Sequence, residues 1–180
     1  MVRRTEKTSS VVLTIGHSTR DVETFLHLLQ VHGVTRIVDV RTIPKSRHNP
    51  QFNKETLPAA LRTVGIAYQH MGELGGLRHP LPNSCNQAWR NASFRGFADY
   101  MQTPEFDEGL QKLIEIARKD RVTIMCAEAV PWRCHRSLIA DALLARRVRV
   151  EHILSEARLQ THVLTQWACV KRNRVTYPTQ

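Results

Sequence analysis

Three apolar runs in this chain are short, rich in β-branched residues and unbroken by polar alternation, and each gives way to a segment that can turn into a helix. Val11-Val12-Leu13-Thr14-Ile15 stops at Gly16, and Arg36-Ile37-Val38-Asp39-Val40 and Val122-Thr123-Ile124-Met125 repeat the form. A strand apolar on both sides needs cover on both faces, and parallel sheets flanked by helices supply it. Ser18-Thr19-Arg20-Asp21 opens a helix with Phe25, Leu28, Leu29 and His32 in step, ended by Gly33. Thr56-Leu57-Pro58 opens a second, carrying Leu57, Leu61 and Val64 to Gly65. Thr103-Pro104-Glu105 opens a third with Phe106, Leu110, Leu113, Ile114 and Ala117 inward, and Ser137 to Arg147 forms a fourth. Ile66-Ala67-Tyr68 adds a weaker strand, and the alternating stretch from Val148 to Ile153 an edge strand. The expected fold class is α/β: a mostly parallel sheet with helices on both faces and right-handed crossovers, in a single three-layer domain.

That domain is expected over residues 11–155, with a flexible N-terminal segment at 1–10 and a C-terminal helix and basic tail at 156–180. Gly72 to Arg95 carries Gly75-Gly76, Pro80 and Pro82 and reads as a long loop. The chain has 180 residues and is 42% hydrophobic, enough to bury one core and to exclude whole-chain disorder. Its apolar runs fall far short of the ~20 residues of a membrane span, and no secretory pattern follows the charged start. Four scattered cysteines make no disulfide scaffold. A cytoplasmic protein with no membrane partner is expected. Lys and Arg number 26 against 16 Asp and Glu, and the resulting +10 favours nucleic acid or a phosphate-bearing small molecule as partner.

In an open α/β sheet, ligands sit beyond the carboxyl ends of the strands. The first strand ends in Gly16-His17-Ser18-Thr19, the second in Asp39-Val40-Arg41, and a later one in Cys126-Ala127-Glu128, with Cys134-His135-Arg136 opening the next helix. Titratable groups on separate strands thus gather at one edge, which is the strongest functional signal in the chain. Each also has a plainer explanation. His17 can serve as a helix cap, Asp39 can pair with Arg41 or Arg47, and Cys126 can be a small core residue. Glu128 must be solvated or paired, and the positive helix end favours a neutral His135. Cys126, Cys134 and His135 are residue types that bind zinc, but the Cys-x₇-Cys-His spacing is loose and shows no fourth ligand, so no metal or other cofactor is expected. A thiol between strand and helix start suits an anion cradle and resembles rhodanese-like domains, as does Asp39-Val40-Arg41. Glu128 within the loop and the missing amide of Pro131 weaken that likeness. Cys134, flanked by Arg133 and Arg136, is the more reactive thiol of the two, and Cys126 beside Glu128 is expected to stay neutral.

A closer likeness rests on an ordered set of motifs. Thr14-Ile15-Gly16-His17-Ser18-Thr19, Asp39-Val40-Arg41 with Pro44 and Ser46-Arg47, Gly65-Ile66-Ala67-Tyr68, Leu74-Gly75-Gly76, Cys126-Ala127-Glu128 and Cys134-His135-Arg136 together resemble the prokaryotic family called domain of unknown function 488. The resemblance implies an α/β fold and a polar site built from these motifs. It therefore adds Gly16, Ser18, Thr19, Ser46, Tyr68, Gly75 and Gly76 to the binding residues, and it brings no settled activity.

Three functions follow. The first is a hydrolase or transferase on nucleic acid or a nucleotide, with Arg41, Arg47, Arg133 and Arg136 holding phosphate. Asp39 or Glu128 would be its general acid or base, helped by His17 or His135. The loop with Arg78, His79, Trp89, Arg90 and Arg95 would cover a base by stacking. The second is a thiol-dependent enzyme of rhodanese or cysteine-phosphatase type using Cys134 or Cys126, against which Glu128 argues. The third is a non-enzymatic basic module that binds nucleic acid, which has no need of the strand-end cluster.

Overall fold

The computed structural model describes residues 11–179, so the N-terminal segment 1–10 lies outside the described residues. The main sheet has six strands: β1 (Val11–Gly16), β2 (Arg36–Asp39), β3 (Ala67–His70), β4 (Val122–Cys126), β5 (Arg149–Ser155) and β6 (Arg158–Thr161). They lie in the order β3-β2-β4-β1-β5-β6, all parallel except β6. The connecting helices are α1 (Val22–Val31), α2 (Leu57–Thr63), α3 (Ala92–Tyr100), α4 (Pro104–Ala117) and α5 (Arg136–Ala145). The fold is α/β, and none of its described helices is long and apolar enough to cross a membrane.

The unbroken apolar runs are explained by two cores. Val12, Val38 and Ile124 face the layer of α3, α4 and α5, where Phe97, Phe106 and Leu138 pack. Leu13, Ile15, Ile37 and Met125 face the layer of α1 and α2, with Phe25, Leu29, Phe52 and Leu61. Successive residues of one strand point to opposite faces, so both sets must be apolar. Capping side chains set the helix starts: Asp21 accepts from the Thr24 amide at 2.7 Å, and Thr103 from that of Phe106 at 3.3 Å. Each such cap contributes about 1 kcal/mol.

Three expectations need correction. The stretch from Val148 to Ile153 is not an edge strand, because β5 pairs with β1 on one side and with β6 on the other. Its alternation reflects partial exposure near the sheet's end rather than an open edge. The segment expected as a C-terminal helix and loose tail instead forms β6 and a hairpin of β7 (Cys169–Lys171) and β8 (Arg174–Thr176). Arg172 and Asn173, with φ of 48° and 68°, make the two-residue turn that such a hairpin needs. The core extends past residue 155, since Val175 and Tyr177 are buried and the Tyr177 hydroxyl donates to Asp141 Oδ2 at 2.7 Å. The loop read from Gly72 to Arg95 is also shorter, because Asn91 caps α3 through the Ser93 and Phe94 amides.

The topology fixes where a site can lie. From β1 the chain crosses to β2 under α1, whereas from β4 it crosses to β5 under α5 on the opposite face. The adjacent ends of β1 and β4 are therefore the switch point, the place where such sheets open a crevice.

Candidate active site

One half of the crevice is built around Arg41. Its Nε donates to Asp39 Oδ1 at 2.9 Å, and its Nη2 donates to Asp39 Oδ2 and to the Phe52 carbonyl, each at 2.6 Å. Asp39, fully buried, also accepts from the Arg41 amide at 3.1 Å and from the Tyr68 hydroxyl at 2.7 Å. All four acceptor positions of the carboxylate are thus occupied. Asp39 is a holder of Arg41, and the general-base role expected for it has no acceptor left to act through. Burial opposes the Arg41 charge, but the bonds to Asp39 and its charge outweigh that and raise the arginine pKa. Burial and the Asp39 charge raise the Tyr68 pKa, so the phenol stays a donor.

His17 completes this half. Its ring stacks on Phe52 with centroids 4.4 Å apart, and Nδ1 lies 2.8 Å from the Ser18 carbonyl. Nε2 lies 3.3 Å from Arg41 Nη1, a nitrogen that can only donate. Burial lowers the His17 pKa to about 4, and the Ser18 bond only partly opposes it. A neutral ring with its proton on Nδ1 satisfies both contacts.

The other half carries sulfur. Cys126 ends β4, and Cys134 and His135 precede α5. His135 Nε2 lies 3.1 Å from the Val40 carbonyl and must donate to it, which turns Nδ1 toward Cys134 Sγ at 3.7 Å and Cys126 Sγ at 3.9 Å. Arg136, only 1% exposed, donates through Nε to Cys134 Sγ at 3.4 Å, through Nη1 to Thr14 Oγ1 at 3.3 Å and through Nη2 to the Glu128 carbonyl at 2.5 Å. The neighbouring Cys134 sulfur and burial push the Cys126 thiol up, while Cys126, His135 and Arg136 bring the Cys134 thiol down.

Behind Arg136 runs a buried relay. Thr14 Oγ1 meets His152 Nδ1 at 2.7 Å, His152 Nε2 meets His162 Nδ1 at 3.0 Å, and His162 Nε2 meets Asp141 Oδ1 at 2.8 Å. Every donor points the same way, from the Arg136 cation to the Asp141 carboxylate. Burial and the neighbouring His162 lower the His152 pKa to about 3.

The two halves meet across a cleft of about 730 Å³. Its lining takes in His17, Ser18, Thr19, Arg41 and Ser46 from one side, and Cys126, Glu128, Arg133, Cys134 and His135 from the other. The family description "Domain of unknown function DUF488" matches residues 21–143, which hold Asp39, Arg41 and the whole segment from Cys126 to Arg136. The chain belongs to the DUF488 family. No curated protein and no solved structure matches it.

Several motif residues of this DUF488 chain shape the cleft, Gly76 from within its lining and the others from behind. Gly16 lies beneath the Glu128 carbonyl, where an added Cβ would come within 1.7 Å of that oxygen. Gly76 lies over the face of the His135 ring, with a built Cβ at 2.6, 2.7 and 3.0 Å from Nδ1, Cγ and Cε1. Gly75 accepts from Arg78 Nε through its carbonyl at 3.2 Å. Tyr68 and Arg136 act through Asp39 and Cys134, and Arg47 is exposed outside the lining.

The expected stacking loop takes another form. Trp89 packs against Phe94, Trp167 and Tyr177 at 4.9, 5.3 and 5.4 Å, and Arg78 stacks over the Tyr100 ring. The likeness to a thiol anion cradle also weakens, since the Arg133 and Cys134 amides turn back onto the Val130 and Pro131 carbonyls. Sequence reading missed Lys45, Asn49, Ser93 and Phe94 in the lining. The last two stand at the start of α3, and the signal for them was Asn91 as a cap followed by Phe94 and Phe97 at helical spacing.

Proposed function

We propose that the cleft is the active site of a hydrolase acting on a phosphate-bearing substrate, a nucleotide or nucleic acid. The observation that carries this reading is Arg41. Four of the five guanidinium N–H groups are held by Asp39, Phe52 and His17, which leaves one on Nη1 for a ligand in the cleft it lines. Its position is fixed and its counter-ion stands behind it, an arrangement suited to charge developing on a phosphoryl group. Lys45 and Arg133 add positive charge to the lining, and Glu128 is its one carboxylate.

With Asp39 saturated, His17 bound on both nitrogens and His135 Nδ1 turned to the two sulfurs, the exposed Glu128 is the group left for proton transfer. It takes a proton from water as the water oxygen bonds to phosphorus. The P–O bond to the leaving group breaks, and the departing oxygen receives that proton from the glutamic acid. The first test is titration of inorganic phosphate into the protein and into Arg133→Ala, a change at an exposed side chain that spares the core. Phosphate is expected to bind in competition with a nucleotide, and several-fold more weakly to the variant. Binding that Arg133→Ala leaves untouched would count against the cleft.

The contact from Arg136 Nε to Cys134 Sγ favours a second reading, in which that sulfur displaces the leaving oxygen and water then displaces the sulfur. A phosphorylated Cys134 trapped by rapid acid quench would promote it.

A further inference from the structure

We infer that Cys126, Cys134 and His135 form a binding site for a thiophilic divalent metal ion, zinc foremost, with one coordination position open to the cleft. Binding stands on its own geometry; only the ion's catalytic use rests on the hydrolase reading above.

The three donor atoms all lie within 4.8 Å of one another, with Nδ1 3.7 and 3.9 Å from the two sulfurs. Bonds of about 2.3 Å to sulfur and about 2.0 Å to nitrogen, set at tetrahedral angles, separate such ligand atoms by roughly 3.5–3.8 Å. Shifts of a few tenths of an ångström bring Nδ1 to both sulfurs' ligand distance, and a side-chain adjustment of no more than about 1 Å closes the remaining sulfur–sulfur separation. The seven-residue gap between Cys126 and Cys134 that hides the pattern in the sequence is spanned by a loop with one helical turn at Pro131–Arg133.

The imidazole is prepared for the role. Its Nε2–H is committed to the Val40 carbonyl, which fixes the tautomer that leaves Nδ1 bare. Ligating histidines in metal sites are held in the same way. The only hydrogen-bond partners of Nδ1 among the described residues are the two sulfurs. Gly76 covers the ring face, and the Phe97 ring meets it edge-on at 5.0 Å, so the in-plane lone pair stays clear.

The surroundings suit a thiolate at Cys134, and a bound dication would favour one at Cys126 as well. Arg136 donates to Cys134 Sγ, the kind of outer bond that stabilises a ligating sulfur, and its own charge is relayed through Thr14, His152 and His162 to Asp141. Two thiolates and a divalent ion sum to no net charge, which a buried floor tolerates. Three protein ligands beside an open cleft are the pattern of catalytic rather than structural zinc. There the ion would acidify a bound water, with Glu128 in the same lining to take its proton.

The test is cobalt titration of the reduced, metal-stripped full chain, read by absorption. One equivalent is expected to give thiolate-to-cobalt charge-transfer and tetrahedral d–d bands that zinc abolishes. Cys126→Ser and His135→Gln, checked for folding by circular dichroism, are each expected to weaken binding at least ~10-fold. Zinc is also expected to slow iodoacetamide labelling of Cys126 and Cys134 in the unmutated protein while leaving the exposed Cys85 unaffected. Absent bands, unprotected thiols, or cobalt bound equally by His135→Gln would overturn the site. A protein that binds cobalt but turns over no phosphate ester keeps this site and loses the hydrolase reading. Turnover by a protein that binds no metal does the reverse.

Discussion

Arg41 and His17 meet with Nη1 3.3 Å from Nε2, and that contact assigns the imidazole's proton. The guanidinium can only donate, so Nε2 accepts and the ring proton sits on Nδ1 against the Ser18 carbonyl. Charging His17 would set a second cation against Arg41. Its depressed pKa, about 4, follows from burial first and then from that cation, with the Ser18 bond opposing both.

Stability is therefore expected to fall in mild acid. His17 and His152 titrate near 4 and 3 when folded, against about 6.5 unfolded, so below pH 6.5 the unfolded chain takes up protons that the native one refuses. Their contribution is fully present above pH 6.5 and declines as the pH drops from there toward 4 for His17 and 3 for His152. Between pH 7.5 and pH 5 each is worth on the order of 2 kcal/mol at most. Urea unfolding at pH 7.5 and pH 5 measures it, and His152→Gln is expected to flatten the difference. An unchanged slope would refute the assignment.

Tyr68→Phe removes one of four donors from buried Asp39. A cost of about 1–2 kcal/mol is expected from the acceptor left without a partner. Denaturant melts decide it, and a neutral result would mean that water replaces the phenol.

Gly76→Ala puts a methyl group where the His135 ring lies, 2.6 Å from Nδ1. The fold is expected to survive, because the contact is with a side chain at the cleft, while metal binding and any turnover fall at least ~10-fold. Full cobalt affinity in this variant would show that His135 is no ligand.

The two-core sheet could be read from the sequence because Val12 and Leu13, or Val38 and Ile37, must satisfy opposite faces, and only buried parallel strands ask for that. The strand-end rule likewise brought His17, Arg41, Cys126 and Glu128 to one edge. Roles were harder to read. Asp39 looks like a base until Tyr68 and the Arg41 amide are seen to fill its remaining positions. Gly16, Gly75 and Gly76 resembled binding residues, although two of them allow close approach by the Glu128 carbonyl and the His135 ring. The C-terminal hairpin was hidden because Val175 and Tyr177 are isolated in a basic, polar stretch, and their burial depends on distant partners such as Asp141.

Steady-state kinetics of the unmutated protein and of Glu128→Gln test the hydrolase account most directly, with a nucleotide or short single-stranded oligonucleotide as substrate. Glu128 is solvent-exposed, so the exchange leaves the core intact. The expected result is a kcat lowered at least ~100-fold with KM within a factor of about two, as for a lost general base. A variant that turns over at the original rate would contradict the assignment of Glu128 and, with it, the carboxylate mechanism of the cleft.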